Sequence, residues 1–465
     1  MNDTPDVVSN DSSFKKGPIM RFVVIGGDAA GMSAASKAKR NDPKMEVIVL
    51  EQTSDVSYSA CGMPYNIADP DRQMDDLVVR RAEVFIEKQG IDLRLGHRAE
   101  RIDRPNRTVT GRTSSGESFE VTFDKLLIAT GARPRVLNIP GKDLPGVLVL
   151  KSLEDGRVLK NYLQTHKVRS AIIVGAGYIG LEMAEAFHAR NVAVEILDVL
   201  PELLPWMPET MAEVVRNELK DKGVNLHLAA GVRFIEQVGP RLAVNFTGGR
   251  LVVDTVLMGV GVVPNSEMAA EAGLDLGPSR AIAVDKALHT SDSDIFAAGD
   301  CADAFHVLTG ERVWIPLALR ANRAGWAVAD NITGRAMELP GVVGTAVFKV
   351  LDLEVAHSGL SLDEAASAGF DPVDELIRSP SRAHGHPGNQ TIYVHLVADR
   401  NTGKLLGGNM VGKEGVAHRI DAVAVALHAG MTVQEFFQCD MAYAPPFSPV
   451  WDPMLTAANQ LLKRL

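Results

Sequence analysis

Arg21-Phe-Val-Val-Ile-Gly-Gly-Asp-Ala-Ala-Gly-Met32 is the stretch on which the reading of this chain turns. An apolar run, Phe22 to Ile25, meets a glycine turn, Gly26 to Gly31, and Met32 to Arg40 continues as a small-residue helix. A second apolar run, Val47 to Leu50, ends on Glu51. Strand, turn, helix, strand and terminal acid, in that order, predict a βαβ cradle for an adenine dinucleotide. Gly26 takes the sharp turn without a Cβ penalty, and Gly31 lets helix and strand approach. The helix N-terminus offers unpaired N–H groups and partial positive charge to a pyrophosphate. Glu51, 20 residues after Gly31, is placed to hydrogen-bond a ribose diol. The cradle residues are then Gly26, Ala30, Gly31 and Glu51. One position departs from G-x-G-x-x-G: Asp28 replaces the middle glycine and sets an anion where phosphates would lie. The plainer alternative is a βαβ turn without a ligand.

A second cradle begins at Ser170. Ala171 to Val174 form a strand, Gly175-Ala-Gly-Tyr-Ile-Gly180 is a complete G-x-G-x-x-G, and Leu181 to Arg190 continue as a helix. Gly175, Gly177 and Gly180 are all present, so this match is the stronger of the two. The next strand ends on Asp198, 18 residues after Gly180. That carboxylate favours a free 2′-hydroxyl and repels a 2′-phosphate. Val199 and Leu200 follow with no arginine, so NADH is expected over NADPH, unless a nearby loop supplies a base. Glu182 either sits near the nicotinamide or serves the helix N-terminus. Lys125 to Ala132 and Ile295 to Asp300 are two further buried strands running into glycine turns, at Ala129-Thr130-Gly131 and at Gly299-Asp300. This order predicts one nucleotide-binding domain inserted in another, with 20–150 and 275–342 surrounding 151–274.

Composition narrows the class. At 465 residues the chain should hold about three domains of ~150 residues each. A formal charge of −10 argues against a nucleic-acid binder, which would carry a basic stripe. No apolar run approaches the ~18–20 residues that span a membrane. Residues 1–19 are polar without an apolar core, so a disordered tail is expected there rather than a secretory signal, and Met20 is an alternative start. Cys61, Cys301 and Cys439 are too few and too scattered for a disulfide scaffold or a metal site. A reducing cytoplasm is therefore expected, where a cysteine is more often chemical than structural.

Elsewhere the pattern predicts a short helix over 82–87, a strand over 92–95 and antiparallel hairpins over 100–123. A helix over 207–222 and strands over 225–228, 241–247 and 255–260 complete the inserted domain. Residues 343–465 form a third, α+β domain with strands at 346–350, 391–397 and 405–410 and a helix at 416–428. Tyr443-Ala-Pro-Pro-Phe-Ser-Pro449 is a stiff turn that cannot be helix.

Taken with Ser57-Tyr-Ser-Ala-Cys-Gly-Met-Pro64, these motifs resemble the pyridine nucleotide-disulfide oxidoreductases, and within them the single-cysteine branch that includes coenzyme A disulfide reductases, NADH oxidases and NADH peroxidases. The resemblance covers nearly the whole chain from Met20. It implies FAD in the first cradle, Asp300 on the flavin's ribityl chain, and a homodimer whose partner subunit closes the active site. It also implies that Cys61 is the redox thiol. A second cysteine would fall at position 66, which is Asn66, so Cys61 would work with an external thiol, as a sulfenic acid or as a persulfide. Tyr443 matches the tyrosine that reaches across the dimer in coenzyme A disulfide reductases. A second family tyrosine is replaced by His386, in His384-Gly-His-Pro-Gly388. The chain stops about where a fused rhodanese domain begins in some relatives.

The attacking sulfur must be a thiolate, so a depressed pKa is expected at Cys61. Each residue has a plainer role: a buried structural cysteine for Cys61, packing for Tyr443, an exposed loop histidine for His386, and packing for Cys301 and Cys439. Arg40, Arg80 and Arg81 are candidates for the 3′-phosphate of coenzyme A, or a solvated face. Three readings follow. The first is a reductase of a coenzyme A disulfide or persulfide, with Cys61 cycling through a mixed disulfide as the resemblance to coenzyme A disulfide reductases implies. The second is an NADH oxidase or peroxidase cycling through a Cys61 sulfenic acid. The third is a flavin-bound, NADH-sensing interaction protein. Residues 26–40 carry no histidine, which counts against peroxidase.

Overall fold

The computed structural model describes residues 19–465; the tail expected over 1–19 lies outside them, apart from Ile19. Five parallel strands form the first sheet, in the order Ile295–Ala297, Lys125–Ile128, Arg21–Ile25, Glu46–Leu50, Asp92–Arg94. Their Val, Ile and Leu runs are buried on both faces, as a parallel sheet covered by other layers requires. Helix Ala29–Asn41 packs closely on helix Ala318–Ile332, where a side chain on Gly325 would meet the Ala30 carbonyl oxygen at 2.3 Å. An antiparallel sheet of His97–Asp103, Thr108–Thr113 and Ser118–Thr122 adds Ile102, Val109 and Val121 to the same core.

The second sheet is also parallel, in the order Asn225–His227, Ala193–Leu197, Ser170–Val174, Thr255–Met258, Val147–Leu148. Because the strand Ile295–Ala297 pairs with Lys125–Ile128, the chain leaves the first sheet, builds the second and returns. Antiparallel strands Ala132–Pro134 and Val262–Pro264 mark that crossing. The third sheet is antiparallel, in the order Ala346–Val350, Leu353–Gly359, Leu405–Gly412, Thr391–Asp399, Pro372–Pro380, with helices Val416–Ala429 and Pro453–Leu461 packed on it.

Several elements differ from the sequence expectation. The helix expected over 82–87 is present over 82–89, with its middle, Val84–Lys88, π-wound. Strands Val232–Val238, Gly249–Val253, Leu353–Gly359 and Pro372–Pro380 were not anticipated. Charges such as Glu236, Arg250, Glu354 and Asp374 break an apolar alternation in them, and register with a neighbour holds them in place.

The short helix Met63–Ala68 contributes Met63 and Ile67 to a core shared with Leu153, Leu159, Leu181 and Met183 of the second unit and Phe348 and Val355 of the third. The segment that follows Cys61 is therefore anchored where all three units meet.

Candidate active site

The two glycine loops solve the same steric problem. Gly26 has φ +113° and Gly175 φ +107°, backbone that favours glycine. A side chain on Gly31 would meet the Gly26 carbonyl oxygen at 1.9 Å, and one on Gly180 would meet that of Gly175 at 2.0 Å. Each loop is also fastened by the acid at the end of its second strand. The Gly27 N–H donates to Glu51 Oε2 at 2.7 Å, and the Ala176 N–H donates to Asp198 Oδ2 at 2.6 Å. Glu51 Oε1 accepts from the Thr53 N–H and hydroxyl at 2.7 and 2.8 Å.

At the middle position the loops part. A Cβ on Gly177 would find nothing within 4 Å, so space is left beside the helix N-terminus. In the first loop Asp28 fills that place; the turn forms all the same. The second loop borders a cleft of about 230 Å³ lined by Gly177, Tyr178, Asp198, Leu200, Glu202 and Trp206, among others, and no lysine or arginine is among its lining residues.

Around the first loop, the Ala129-Thr130-Gly131 turn is pinned from the second unit's exit. Thr130 Oγ1 donates to the Asn265 carbonyl at 2.6 Å, and Asn265 Nδ2 donates back to the Thr130 carbonyl at 2.8 Å. Gly299 has φ +85°, and a side chain there would meet Ala30 Cβ at 3.2 Å. Asp300 pairs with Lys151 at 3.2 Å, and the Trp314 indole N–H donates to the Asp300 carbonyl at 2.8 Å. Lys151 had no motif to announce it. A helix N-terminus with an unpartnered Asp28 Oδ1 beside it, and open space at Gly131, fit a dinucleotide at this loop.

Cys61 sits in the turn Ala60–Gly62 that leads into helix Met63–Ala68, and its thiol is open to solvent. The surrounding walls nevertheless remove water, and burial is the first cause that pushes the thiol up, followed by the negative charge of Glu182. Lys151 pulls it down, while Asp300 and Asp28 push it further up. The expectation of a depressed pKa is thus corrected for the protein alone: a six-residue helix does not offset desolvation and three carboxylates.

Position 66 is structural. Asn66 is fully buried, and its Nδ2 donates to the Gln73 carbonyl at 2.8 Å. The buried Lys160 ammonium donates to the Asn66 carbonyl, Asn66 Oδ1 and the Asp69 and Arg72 carbonyls, at 2.6 to 2.9 Å. A cation from the second unit thereby caps the C-terminal end of the cysteine helix. The Tyr65 hydroxyl, one turn past Cys61, donates to Glu182 Oε1 at 2.8 Å. Burial pushes the Glu182 carboxyl up and the Tyr65 bond opposes it. Glu182 thus takes part in a contact with the cysteine helix. The i, i+4 spacing of Cys61 and Tyr65 was the available signal.

His386 and Tyr443 lie on two loops joined by the Ala383 N–H, which donates to the Pro445 carbonyl at 3.1 Å. The Tyr443 side chain is exposed and His386 is half-buried, and among the described residues no contact brings either to Cys61. Phe447, Val450 and Trp451 are exposed beside Tyr443. Cys301 is buried in the first core, where burial pushes its thiol up, and Cys439 is partly buried in the third unit. Arg40, Arg80 and Arg81 are exposed, with Arg80 lying 5.5 Å from the Phe85 ring centre.

Two parallel sheets, each with a dinucleotide loop, and an accessible cysteine on a helix anchored at their junction define a two-nucleotide redox flavoenzyme. Residues 20–325 match the pyridine nucleotide-disulphide oxidoreductase family and residues 345–454 match its dimerisation domain, so the chain belongs to that family. It is 39% identical over 442 residues to the NAD(P)H sulfur oxidoreductase (CoA-dependent) of Pyrococcus furiosus, covering 95% of this chain and 99% of the relative. It is 33% identical over 447 residues to an NADH oxidase of Methanocaldococcus jannaschii, covering 96% and 99%. Among solved structures, a NAD-dependent persulfide reductase from A. fulgidus superposes with a TM-score of 0.92 at 36% identity, over 96% of this chain and 83% of that one. Family membership makes this chain an FAD-dependent oxidoreductase that uses a pyridine nucleotide, and sets aside the non-enzymatic reading. Among the described residues no helix is long and apolar enough to cross a membrane.

Proposed function

We propose that this enzyme uses NADH to reduce a disulfide or persulfide of coenzyme A, in a reducing cytoplasm, with Cys61 as the redox thiol. The observation that carries the reading is an accessible Cys61 with a buried, fully bonded Asn66 where an internal partner thiol would stand. Without that partner, the sulfur that exchanges with Cys61 must come from the substrate. FAD bound at the first loop would take hydride from NADH and supply two electrons for reducing a disulfide. The chain's own residues do the rest. Gly26, Ala30, Gly31 and Glu51 hold the dinucleotide half of FAD, with Ala129 to Gly131, Gly299 and Asp300 along its length. Gly175, Gly177, Gly180 and Asp198 hold NADH; Asp198 and Glu202 in a cleft lined by no base support NADH over NADPH.

The Cys61 thiolate attacks one sulfur of the acceptor. The Cys61–sulfur bond forms, the acceptor's S–S bond breaks, and the departing thiolate takes a proton from the surroundings. Two electrons originating in NADH then return Cys61 to the thiolate and release the second thiol. Tyr443 and His386, on adjoining exposed loops flanked by Phe447 and Trp451, are assigned to the partner subunit's active site, where either proton donor would stabilise a leaving thiolate. Arg40, Arg80 and Arg81 are assigned to the phosphates of coenzyme A. The CoA-dependent and persulfide-reducing relatives support this choice of acceptor. A sulfenic-acid oxidase cycle at Cys61 is the second reading, favoured by the NADH oxidase relative.

Anaerobic NADH oxidation by wild type and Cys61→Ser tests both. Acceptors are coenzyme A disulfide, coenzyme A persulfide, glutathione disulfide and peroxide, with an aerated sample and NADPH in parallel. We expect turnover with a coenzyme A species to fall at least ~10³-fold in the serine variant, on the scale of losing a nucleophile. Turnover with peroxide or oxygen alone would replace the first reading by the second.

A further inference from the structure

The middle residue of the first loop holds a carboxyl group with one oxygen, Oδ1, that the described residues leave unbonded. Asp28 is the N-cap of helix Ala29–Asn41, with extended backbone at φ −108° and ψ −150°. An aspartate there ordinarily accepts from the N–H two or three residues on. The Asp28 side chain makes no such bond, and its Oδ1 is buried without a hydrogen-bond partner among the described residues. The helix N–H groups are left for a ligand, and the carboxyl stands beside them at the N-cap. In the second loop the equivalent place is Gly177, where a Cβ would meet nothing within 4 Å.

An ionised carboxylate beside a bound pyrophosphate would be repelled and, at Oδ1, unsatisfied. A neutral acid would have an O–H to give and a phosphate oxygen to receive it. We propose that Asp28 is a flavin-binding residue that acts as the neutral acid: its carboxyl O–H donates to the pyrophosphate of bound FAD, and one proton is taken up as the cofactor binds. The inference rests on FAD being the ligand of the first loop.

The groups facing Asp28 favour that form. Burial is the largest cause and pushes the carboxyl up to about 6 from 3.8 before any ligand is present. Glu51, from the end of the second strand, and Asp300, after the strand Ile295–Ala297, push in the same direction. The Tyr58 N–H and the Lys151 ammonium oppose them, and Lys151 is itself engaged by Asp300 at 3.2 Å. Pyrophosphate brings further negative charge and raises the carboxyl again. By linkage, cofactor affinity is then constant below about pH 6 and falls as the pH rises through the interval between the free and bound values.

The experiment dilutes the holoenzyme to equilibrium and measures released FAD by its fluorescence between pH 5 and 8.5. For wild type we expect a Kd that is flat at the acid end and rises by up to ~tenfold per pH unit above it. Asp28→Asn keeps a donor but cannot ionise, and should remove that slope. A flat wild-type profile, or the same slope in Asp28→Asn, would overturn the proposal; the second result would assign the proton to Glu51, Asp300, Lys151 or Tyr58. If Asp28→Asn fails to fold, the wild type decides alone. FAD release at pH 7 in weak buffer with an indicator should liberate up to one proton per flavin, and liberation of none would overturn it.

Discussion

The two dinucleotide loops share a frame and differ in what they show their ligands. In both, the first and last glycines are fixed by backbone: the first has positive φ and would place a side chain 2.2 or 2.5 Å from a carbonyl oxygen, and the last would place one at 1.9 or 2.0 Å. In both, an acid at the end of the next strand clamps the loop's second N–H, at 2.7 and 2.6 Å. The middle position is open space at Gly177 and a buried carboxyl at Asp28. Two residues past the last glycine they differ again. Ser33 hydroxyl donates to Asn322 of the covering helix, at 2.7 Å, whereas Glu182 accepts from Tyr65 beside Cys61. The shared features hold the turn, and the differing ones face ligand or reacting thiol.

The largest effects should come from the shared frame. Gly31→Val drives a branched side chain into the Gly26 carbonyl, on a helix wedged between the first sheet and helix Ala318–Ile332. We expect loss of bound FAD, seen in the visible spectrum, and destabilisation of at least ~3 kcal/mol in urea titration, the upper range for overpacking. Gly180→Val should keep the flavin and lose NADH-dependent flavin reduction in stopped flow, because its overlap is confined to the second loop. Equal loss of FAD in both variants would mean that the two loops do not fold as separate cradles.

Next in size is the clamp and its selectivity. Asp198→Ala with Val199→Arg removes one negative charge from the nucleotide cleft and offers a base to a 2′-phosphate. We expect the ratio of kcat/KM for NADH over NADPH to fall by ~10²-fold, on the scale of ~3 kcal/mol for a charged hydrogen bond gained and repulsion removed. An unchanged ratio would shift the discrimination to Glu202, the other acid lining the cleft. Glu51→Gln should act on the other cradle, weakening FAD retention by ~10-fold or more through the bonds from Gly27 and Thr53 while leaving nucleotide preference as it was.

Much of this was legible in the chain itself. The loop glycines, Glu51 and Asp198 stand at fixed spacings because a strand–turn–helix of set dimensions requires them, and local geometry writes itself into local sequence. The three-unit α/β architecture followed from the return of buried strands ending at Gly131 and Gly299. What stayed hidden depends on contacts distant in sequence. Lys151 reaches Asp300 across 149 residues, Lys160 caps the cysteine helix from 94 residues away, and Tyr65 meets Glu182 across 117. None of these leaves a periodic trace. The direction of the Cys61 shift was missed for the same reason: the helix start is visible in Pro64, but the three carboxylates arrive from a helix and two turns elsewhere in the chain.

The smallest effect we expect is also the most diagnostic of how the second loop serves the cysteine. Glu182 is the largest charge acting against the Cys61 thiolate, and Tyr65 holds its carboxyl in place. Glu182→Gln removes that charge but can keep an acceptor for the Tyr65 hydroxyl. The Cys61 thiol should then ionise at lower pH, by roughly half a unit to one unit for a like charge removed at a partly solvated site. Alkylation of the reduced enzyme by iodoacetamide, followed against pH in a Cys439→Ser background, reads this directly. A Cys61 profile unmoved in Glu182→Gln would show that the second loop does not set this thiol, and that burial and the groups of the first unit and Lys151 do.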